Sequence, residues 1–555
     1  MAIIKKDTPE EAKKKKYDVC IIGSGPSGMT LANELEKTGM TLCVLESGKA
    51  TKTAYADSLR QTESRGILIK ESSRERILGG TSTTWSGLSS PLDTIDLDSS
   101  LPYHKGGWPI DRATLDKYYN RAANGYSFPS LSRYSQSSVA LIRERGDLEL
   151  KWKGLNEKIF LARVPTQNFG KNFEHIFENL NLDLYLDATV VELKGDKTAN
   201  NITRADFITS QGKHGSISAS VFIVATGGIE NARLLLNSRG LSQKGVGNEH
   251  DCVGRYLMNH PKNYYGVITL NKPIHELPHY FGYALSGYTG YAGLRINENI
   301  QKQKQLLNSY VRFEPMFPWS DNTGVESLIR LIKKLRIELI FLRFKKRGLL
   351  TIRDYAETGD DSTIQNTGKT TKGWLMLFFD ILRNIIPVSR YVFARLNSGQ
   401  PPSVKRIRLR NFLEMEPRAE NRVTLGEKKD GLGMAIPIVH HECSPLDKKS
   451  IIELHKIIRQ ELIESKIGTL AGNLEKEPRW PITEDSSHHM GTTRMGLDQR
   501  TSVVDENCKV HSVSNLYLAG ASVFPTSGCS NPTMTIVALS IRLADHLKNK
   551  KFLLR

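Results

Sequence analysis

Tyr17-Asp18-Val19-Cys20-Ile21-Ile22-Gly23-Ser24-Gly25-Pro26-Ser27-Gly28 is the stretch whose reading decides the fold. Its first half is a short apolar run of the kind buried in a parallel sheet. The run passes straight into glycines, and a helical pattern follows over 29–37, with Gly39 placed to stop it. Thr41-Leu42-Cys43-Val44-Leu45-Glu46 is then a second apolar strand that ends on an acid. Together these make a strand–turn–helix–strand unit of about 30 residues. Gly23 allows the tight turn, Gly25 lets the backbone approach a pyrophosphate, and Gly28 lets the helix pack on the sheet. Ser24, Pro26 and Ser27 complete the turn and open the helix, whose free N–H groups and dipole favour phosphate. Glu46 stands eighteen residues after Gly28, where an acid can hydrogen-bond a ribose hydroxyl. A lone glycine motif is weak, and a turn with no ligand is the bland alternative. Strand, helix and acid in register predict dinucleotide binding, without separating FAD from NAD.

Working outward, sheet patterns recur far along the chain. A strand is predicted over 182–193, and another in Ser220-Val221-Phe222-Ile223-Val224-Ala225, which ends in Thr226-Gly227-Gly228 before a helix over 229–236. Ala225 and Gly227 are candidates for the cofactor wall at that junction. Asn515-Leu516-Tyr517-Leu518-Ala519-Gly520 repeats the pattern, and a last helix is expected over 533–548. The expected fold is α/β (α+β overall). A Rossmann-like domain is built from the discontinuous segments 17–100, 182–265 and 480–555, with 101–181 as a connecting or lid segment. Residues 266–479 would form a mixed-sheet substrate-binding domain with a basic amphipathic insertion at 326–400, and 1–16 a flexible basic leader.

The length of 555 residues suits two or three domains. Hydrophobic residues at 39% and charged residues at 25% mark a globular chain rather than a disordered one. The net charge of +18 can attract anionic partners or merely solvate the surface. The six cysteines form no CxxC pair and no disulfide framework, and Cys20 and Cys43 read as buried thiols. The first sixteen residues lack the apolar core of a secretory signal. The default expectation is a reducing, cytoplasmic compartment.

Downstream motifs add a family resemblance. His488-His489-Met490-Gly491-Thr492-Thr493-Arg494-Met495-Gly496 resembles the HxxGTxxMG stretch of the glucose–methanol–choline oxidoreductases. Ala519-Gly520-Ala521-Ser522-Val523-Phe524-Pro525-Thr526 and Asn531-Pro532-Thr533-Met534-Thr535 are similar to that family's closing flavin segment. Gly79-Gly80-Thr81-Ser82-Thr83-Thr84-Trp85 is similar to its loop beside the isoalloxazine. Val253-Gly254-Arg255, Asn259-His260-Pro261 and Asn421-Arg422-Val423-Thr424-Leu425 also match. The resemblance runs from 17 to about 548 and is weakest over 266–410. It implies FAD and alcohol oxidation, and the Asn-Pro-Thr ending points to the pyranose oxidase and sugar dehydrogenase branch.

By motif position the resemblance makes His488 and Asn531 the catalytic pair. It places Gly80, Thr81, Ser82, Val190, Gly520, Ala521, Pro532 and Thr533 around the cofactor, with the Val190 backbone at the adenine. Some relatives carry a flavin-linking histidine just before the tryptophan. Thr84 stands there in this chain, so non-covalent FAD is expected. The chemistry suits the pair. A neutral imidazole accepts the hydroxyl proton, an amide holds the alcohol oxygen, and the hydride goes to flavin N5. The bland reading of His488 is a structural histidine, and the His-His pair has no convincing metal-ligand spacing. His489 is expected to point elsewhere and His260 to be structural, and Thr492 and Arg494 carry no assigned role.

The expected substrate is a sugar, amino sugar or polyol, and the expected acceptor is oxygen, a quinone or a redox protein, with a dehydrogenase favoured over an oxidase. Two alternatives stay open. One is an NAD-linked reductase of related fold, which would want a second glycine loop. The other is a flavin-binding assembly partner without turnover. Leu328-Ile329-Arg330-Leu331-Ile332-Lys333-Lys334-Leu335-Arg336-Ile337, continuing to Arg347, interleaves apolar and basic residues at helical spacing, with apolar patches at 374–379 and 385–386. Such a stretch reads as an ordinary amphipathic helix, or as one that lies on an anionic membrane, at the inner face of the cell membrane. Nucleic acid is not an expected partner, because the basic run carries no recognised binding motif.

Overall fold

The opening strand spans Lys16–Ile22, with Cys20 and Ile21 fully buried. The computed structural model describes residues 15–104, 106–196, 200–285, 287–334, 373–396 and 402–551. Most of the expected leader, residues 1–14, therefore lies outside the described residues. Lys16–Ile22 pairs in parallel with Leu42–Leu45 on one side and His214–Val224 on the other. Leu182–Tyr185 extends the parallel set beyond Leu42–Leu45. His214–Val224 is long enough to serve several partners. Its first half runs antiparallel to Asn201–Ile208, and its last three residues run parallel to Leu516–Leu518. Thr189–Asp196 closes that edge.

The single strand expected over 182–193 is two strands. Asp187 adopts a left-handed φ of 58° and accepts hydrogen bonds from Ser210 N and Oγ at 3.1 and 2.6 Å. A short polar side chain tolerates that conformation and pins the bend. The first helix spans Pro26–Leu35 and ends in a tight turn whose C-cap, Gly39, has φ 71°. A Cβ at Gly28 would stand 1.9 Å from the Gly23 carbonyl oxygen, so only glycine lets this helix sit on the turn. The last helix, Thr533–Lys551, packs against Pro26–Leu35, and Ser27 and Ser540 share a buried hydrogen bond of 2.8 Å between them.

A second seven-stranded sheet orders Tyr283–Leu285, Tyr288–Ile296, Tyr310–Met316, Val404–Phe412, Lys262–Ile274 and Gly468–Ala471, with Leu155–Arg163 paired along Tyr288–Ile296. All its pairings are antiparallel. The mixed pairing expected within 266–479 occurs in a three-stranded sheet, two of whose strands lie in that range. There Ala435–His441 runs antiparallel to Arg422–Lys429 and parallel to Glu63–Gly66. Two expected boundaries do not follow the sheets. The connecting stretch 101–181 donates Leu155–Arg163 to the second sheet, because Ile159, Phe160 and Leu161 are all buried there. Lys262–Ile274 crosses the boundary expected after residue 265. The helix Pro445–Glu464 covers one face of the sheet with Ile451, Leu454, Ile458 and Leu462, spaced by three and four residues. Ser444 and Asp447 cap its start in a reciprocal box. The opposite face looks toward the first domain.

The insertion begins with the helix Thr323–Lys334, followed by Trp374–Arg383 and Ile385–Leu396. Val325, Val388 and Tyr391 form its small core, with Trp319, Leu328, Ile329 and Ile381 packed against it. Outside that core, Trp374, Leu375, Met376, Phe378, Phe379, Ile386 and Phe393 are exposed. The rest of the basic stretch, 335–347, lies outside the described residues. Among the described residues no helix is long and apolar enough to cross a membrane, and every cysteine is a free thiol.

Candidate functional site

A cavity of about 560 Å³ runs between the two large sheets, within the size range of ligand sites. The predicted residues Gly23, Ser24, Gly25, Pro26, Ser27, Glu46, Gly80, Thr81, Ser82, Val190, Ala225, Gly227, Gly520, Ala521, Pro532 and Thr533 line it, and so do His488 and Asn531. Gly28 does not. It sits beneath the turn against Gly23, where its role is the helix–strand contact.

The nucleotide end offers a cradle. A Cβ built at Gly25, Gly227 or Gly520 would meet no heavy atom within 4 Å, so each backbone faces open space on the cavity side. Gly25 and Gly227 are the N-caps of Pro26–Leu35 and Gly228–Asn237, and neither helix has a side-chain cap. Two uncapped helix starts thus present N–H groups to one space, the arrangement a pyrophosphate needs. The residues present fit the dinucleotide half of FAD.

Glu46 carries a duty that sequence reasoning did not assign to it. Its Oε2 accepts from Ser24 N at 3.0 Å and Ser24 Oγ at 2.6 Å, and its Oε1 from Gly48 N at 2.8 Å. Burial pushes its pKa up, and these bonds oppose the shift. Ser24 therefore spends its donors on Glu46 and closes the loop, leaving the phosphate to its neighbours.

At the other end, His488 and His260 meet edge to face, with Nδ1 atoms 2.9 Å apart. His260 Nε2 lies 2.8 Å from the Gly528 carbonyl oxygen. A carbonyl only accepts, so His260 carries its proton on Nε2. Its Nδ1 then accepts, and His488 must donate from Nδ1. The His488 Nε2 lone pair is left for other work. Burial, then the electrostatic influence of the neighbouring His260 and Lys262, push the His488 pKa well below the usual imidazole value. Burial lowers His260 to about 4. Both rings are neutral near pH 7, as this proton arrangement requires. His489 also borders the cavity, but its Nε2 turns to Asp485 Oδ1 at 3.4 Å. No hydrogen bond ties the Asn531 amide to another described residue.

A model of a GMC oxidoreductase family matches residues 417–540, and one of an FAD-binding domain matches 16–63. Residues 417–540 thus carry the signature of the glucose–methanol–choline oxidoreductases. It is similar to a fructose dehydrogenase large subunit from Gluconobacter japonicus, 25% identical over 67% of this chain and 55% of that one. A pyranose 2-oxidase from Emericella nidulans is 34% identical over 27% of each chain. The chain thus spans about half, or about a quarter, of the length of these two relatives. In fold it resembles a fungal aryl-alcohol oxidase, with a TM-score of 0.57 at 14% identity over 97% of this chain and all of that one.

Several cavity residues carried no signal that was read from sequence. Arg74, Arg76 and Glu230 line the nucleotide end, with Arg76 paired to Glu230 at 2.9 Å. The charges Arg74-Glu75-Arg76 just before Gly79-Gly80 were the available signal. Lys262, Tyr291, Tyr310, Arg312, Arg410 and Phe412 come from the second sheet. Their period-two spacing, Tyr310-x-Arg312 and Arg410-x-Phe412, was the legible trace. Thr492 and Arg494 resolve as structural: Thr492 Oγ1 donates to the Gly228 carbonyl, and Arg494 lies 3.5 Å over the Tyr256 ring.

Proposed function

We propose that this protein binds FAD and oxidises a CH–OH group of a sugar or polyol to a carbonyl, with His488 as general base and Asn531 as the group that orients the alcohol. The observation that carries this reading is that both side chains share one cavity with the glycine cradle, and that the His488 Nε2 lone pair is free. When bound, FAD supplies the acceptor for the carbon-bound hydride. The Asn531 amide donates to the alcohol oxygen and fixes its orientation. His488 Nε2 takes the hydroxyl proton, and its lowered pKa keeps it neutral and ready. Anaerobic titration of the holoenzyme with sugars, amino sugars, polyols and sugar acids tests this. Bleaching of the flavin by one class is expected, and no bleaching by any overturns the reading.

Thr84 borders the cavity and has no nucleophilic ring nitrogen, so the cradle alone holds the cofactor. Acid precipitation should release all the yellow colour to the supernatant. Colour kept by the pellet would show a covalent link. The match to a dehydrogenase over 67% of this chain favours a quinone or redox protein over oxygen as acceptor. Reduced holoenzyme should be reoxidised faster by a soluble quinone than by air.

A peripheral attachment to anionic lipid is part of this proposal. The helices Trp374–Arg383 and Ile385–Leu396 expose Leu375, Phe379 and Phe393, each at 66–76%. Residues 326–400 carry twice as many Lys and Arg as Asp and Glu. Apolar side chains with surplus positive charge suit an anionic interface. Holoenzyme should float with anionic vesicles at low salt and sink with neutral ones, and Phe379→Glu should weaken flotation. Sedimentation away from anionic vesicles at low salt would rule the attachment out.

A further inference from the structure

The second sheet shows the cavity an unusual pair of cations. Arg312 in Tyr310–Met316 and Arg410 in Val404–Phe412 stand directly opposite each other in the strand register, and both line the cavity. Like charges directly opposite across a sheet repel, so an unrelieved pair is destabilising. Relief within the protein is thin. Glu314 Oε1 lies 3.8 Å from each guanidinium, too far for a hydrogen bond. Glu314 is also 3.6 Å from Arg408, whose own strong partner is Asp321 at 2.7 Å. One carboxylate therefore serves two facing guanidinium groups, and a positive charge is left over.

Arg312 is the sharper case. It is only 3% exposed, and its Nε has no hydrogen-bond partner among the described residues. Its guanidinium rests 4.3 Å over the Tyr291 ring, which stabilises the cation without using its N–H donors. A buried guanidinium with idle donors is costly unless a ligand satisfies it. Lys262, opposite Phe412 in the register, adds a third cation to the cavity wall and is close enough to lower the His488 pKa. The cationic wall thus continues to the proposed base.

We propose that Arg312 and Arg410 clamp an oxyanion on the substrate, so that the natural alcohol is an anionic sugar or polyol bearing a carboxylate or a phosphate. This rests on the reading of the site as an alcohol-oxidising one and narrows its substrate class. Two guanidinium forks present the paired donors that a carboxylate or phosphate accepts. The hydroxyl carbon is oxidised to a carbonyl, its proton leaving to His488 and its hydride to the bound FAD. The oxyanion passes through unchanged and serves only to place that carbon. The high net positive charge draws such a substrate toward the cavity.

The test compares matched substrates on holoenzyme: a neutral aldose, its aldonate and uronate, and its sugar phosphate. KM should be lowest for an anionic member, and the member preferred distinguishes carboxylate from phosphate. Arg312→Gln and Arg410→Gln should each raise that KM by on the order of 10²-fold, far more than they raise the KM of the neutral sugar, and retain bound FAD. Arg312→Lys should recover only part of the loss, because a point charge lacks the fork. Calorimetric titration of oxidised holoenzyme with the same sugar acid and sugar phosphate gives a second readout. Heat of binding that vanishes in Arg312→Gln supports the clamp even if no compound bleaches the flavin, so failure of the redox reading is separable. Equal KM for neutral and anionic sugars, unmoved by both substitutions, overturns the clamp and leaves the redox reading intact. Absence of binding by every anion also overturns it.

Discussion

His488→Ala should slow substrate-driven reduction of the flavin by on the order of 10³-fold while the protein stays yellow. The expected size follows from removing a positioned proton acceptor. The separation of rate from cofactor binding follows from placement. His488 lies at the substrate end of the cavity, while the glycine cradle stands on Pro26–Leu35 and Gly228–Asn237. Its backbone is held independently of its ring. Asn259 Oδ1 accepts from His488 N at 3.2 Å, and Asn259 Nδ2 is anchored on Asp485 at 2.5 Å. Alanine therefore keeps the loop and loses only the base. The pH dependence has a definite sign. Protonated imidazole cannot accept a proton, so the rate falls on the acid side. Because burial lowers the His488 pKa, that fall should begin below the ordinary imidazole value of about 6.5, not above it. Stopped-flow reduction measured across pH checks both statements. A His488→Ala rate equal to that of the parent would remove His488 from the chemistry.

The nucleotide half of this site was legible because its signals are local. Gly23 to Glu46 lie in one continuous segment, and backbone conformation, helix start and strand end all follow from neighbours in sequence. Asp187 shows the limit of such reasoning. The apolar pattern over 182–193 gives no sign of the bend that Ser210, twenty-three residues away, fixes by hydrogen bonds. The cationic wall was hidden for a stronger reason. Arg312 and Arg410 become neighbours only when two strands nearly a hundred residues apart pair in one register. Nothing in either strand alone says which face will look at the cavity. The same holds for Leu155–Arg163, whose apolar residues could not announce which sheet they would join. His260, which stands before Pro261, was expected to be structural. Its meaning lies in an edge-to-face meeting with a ring 228 residues away.

His260→Ala should lower the same reduction rate by about 10²-fold, and His260→Asn should restore much of it. The argument rests on where protons sit. The Gly528 peptide is gripped from both sides: its N–H donates to Glu414 Oε1 at 2.9 Å, and its carbonyl accepts from His260 Nε2 at 2.8 Å. That grip fixes the His260 proton on Nε2, and so makes Nδ1 the acceptor for His488. Without the acceptor, neutral His488 can place its single proton on either nitrogen and turn its ring. A share of the molecules then holds the wrong tautomer, with Nε2 protonated and unable to act. Asparagine presents an amide oxygen close to the position of the lost Nδ1, so it can accept from His488 and restore the tautomer. His260 touches no reacting atom in this account and is a positioning residue. Its loss should therefore lower kcat with little change in KM. A merely structural role predicts something different: both substitutions would lose FAD or thermal stability together, and asparagine would rescue nothing.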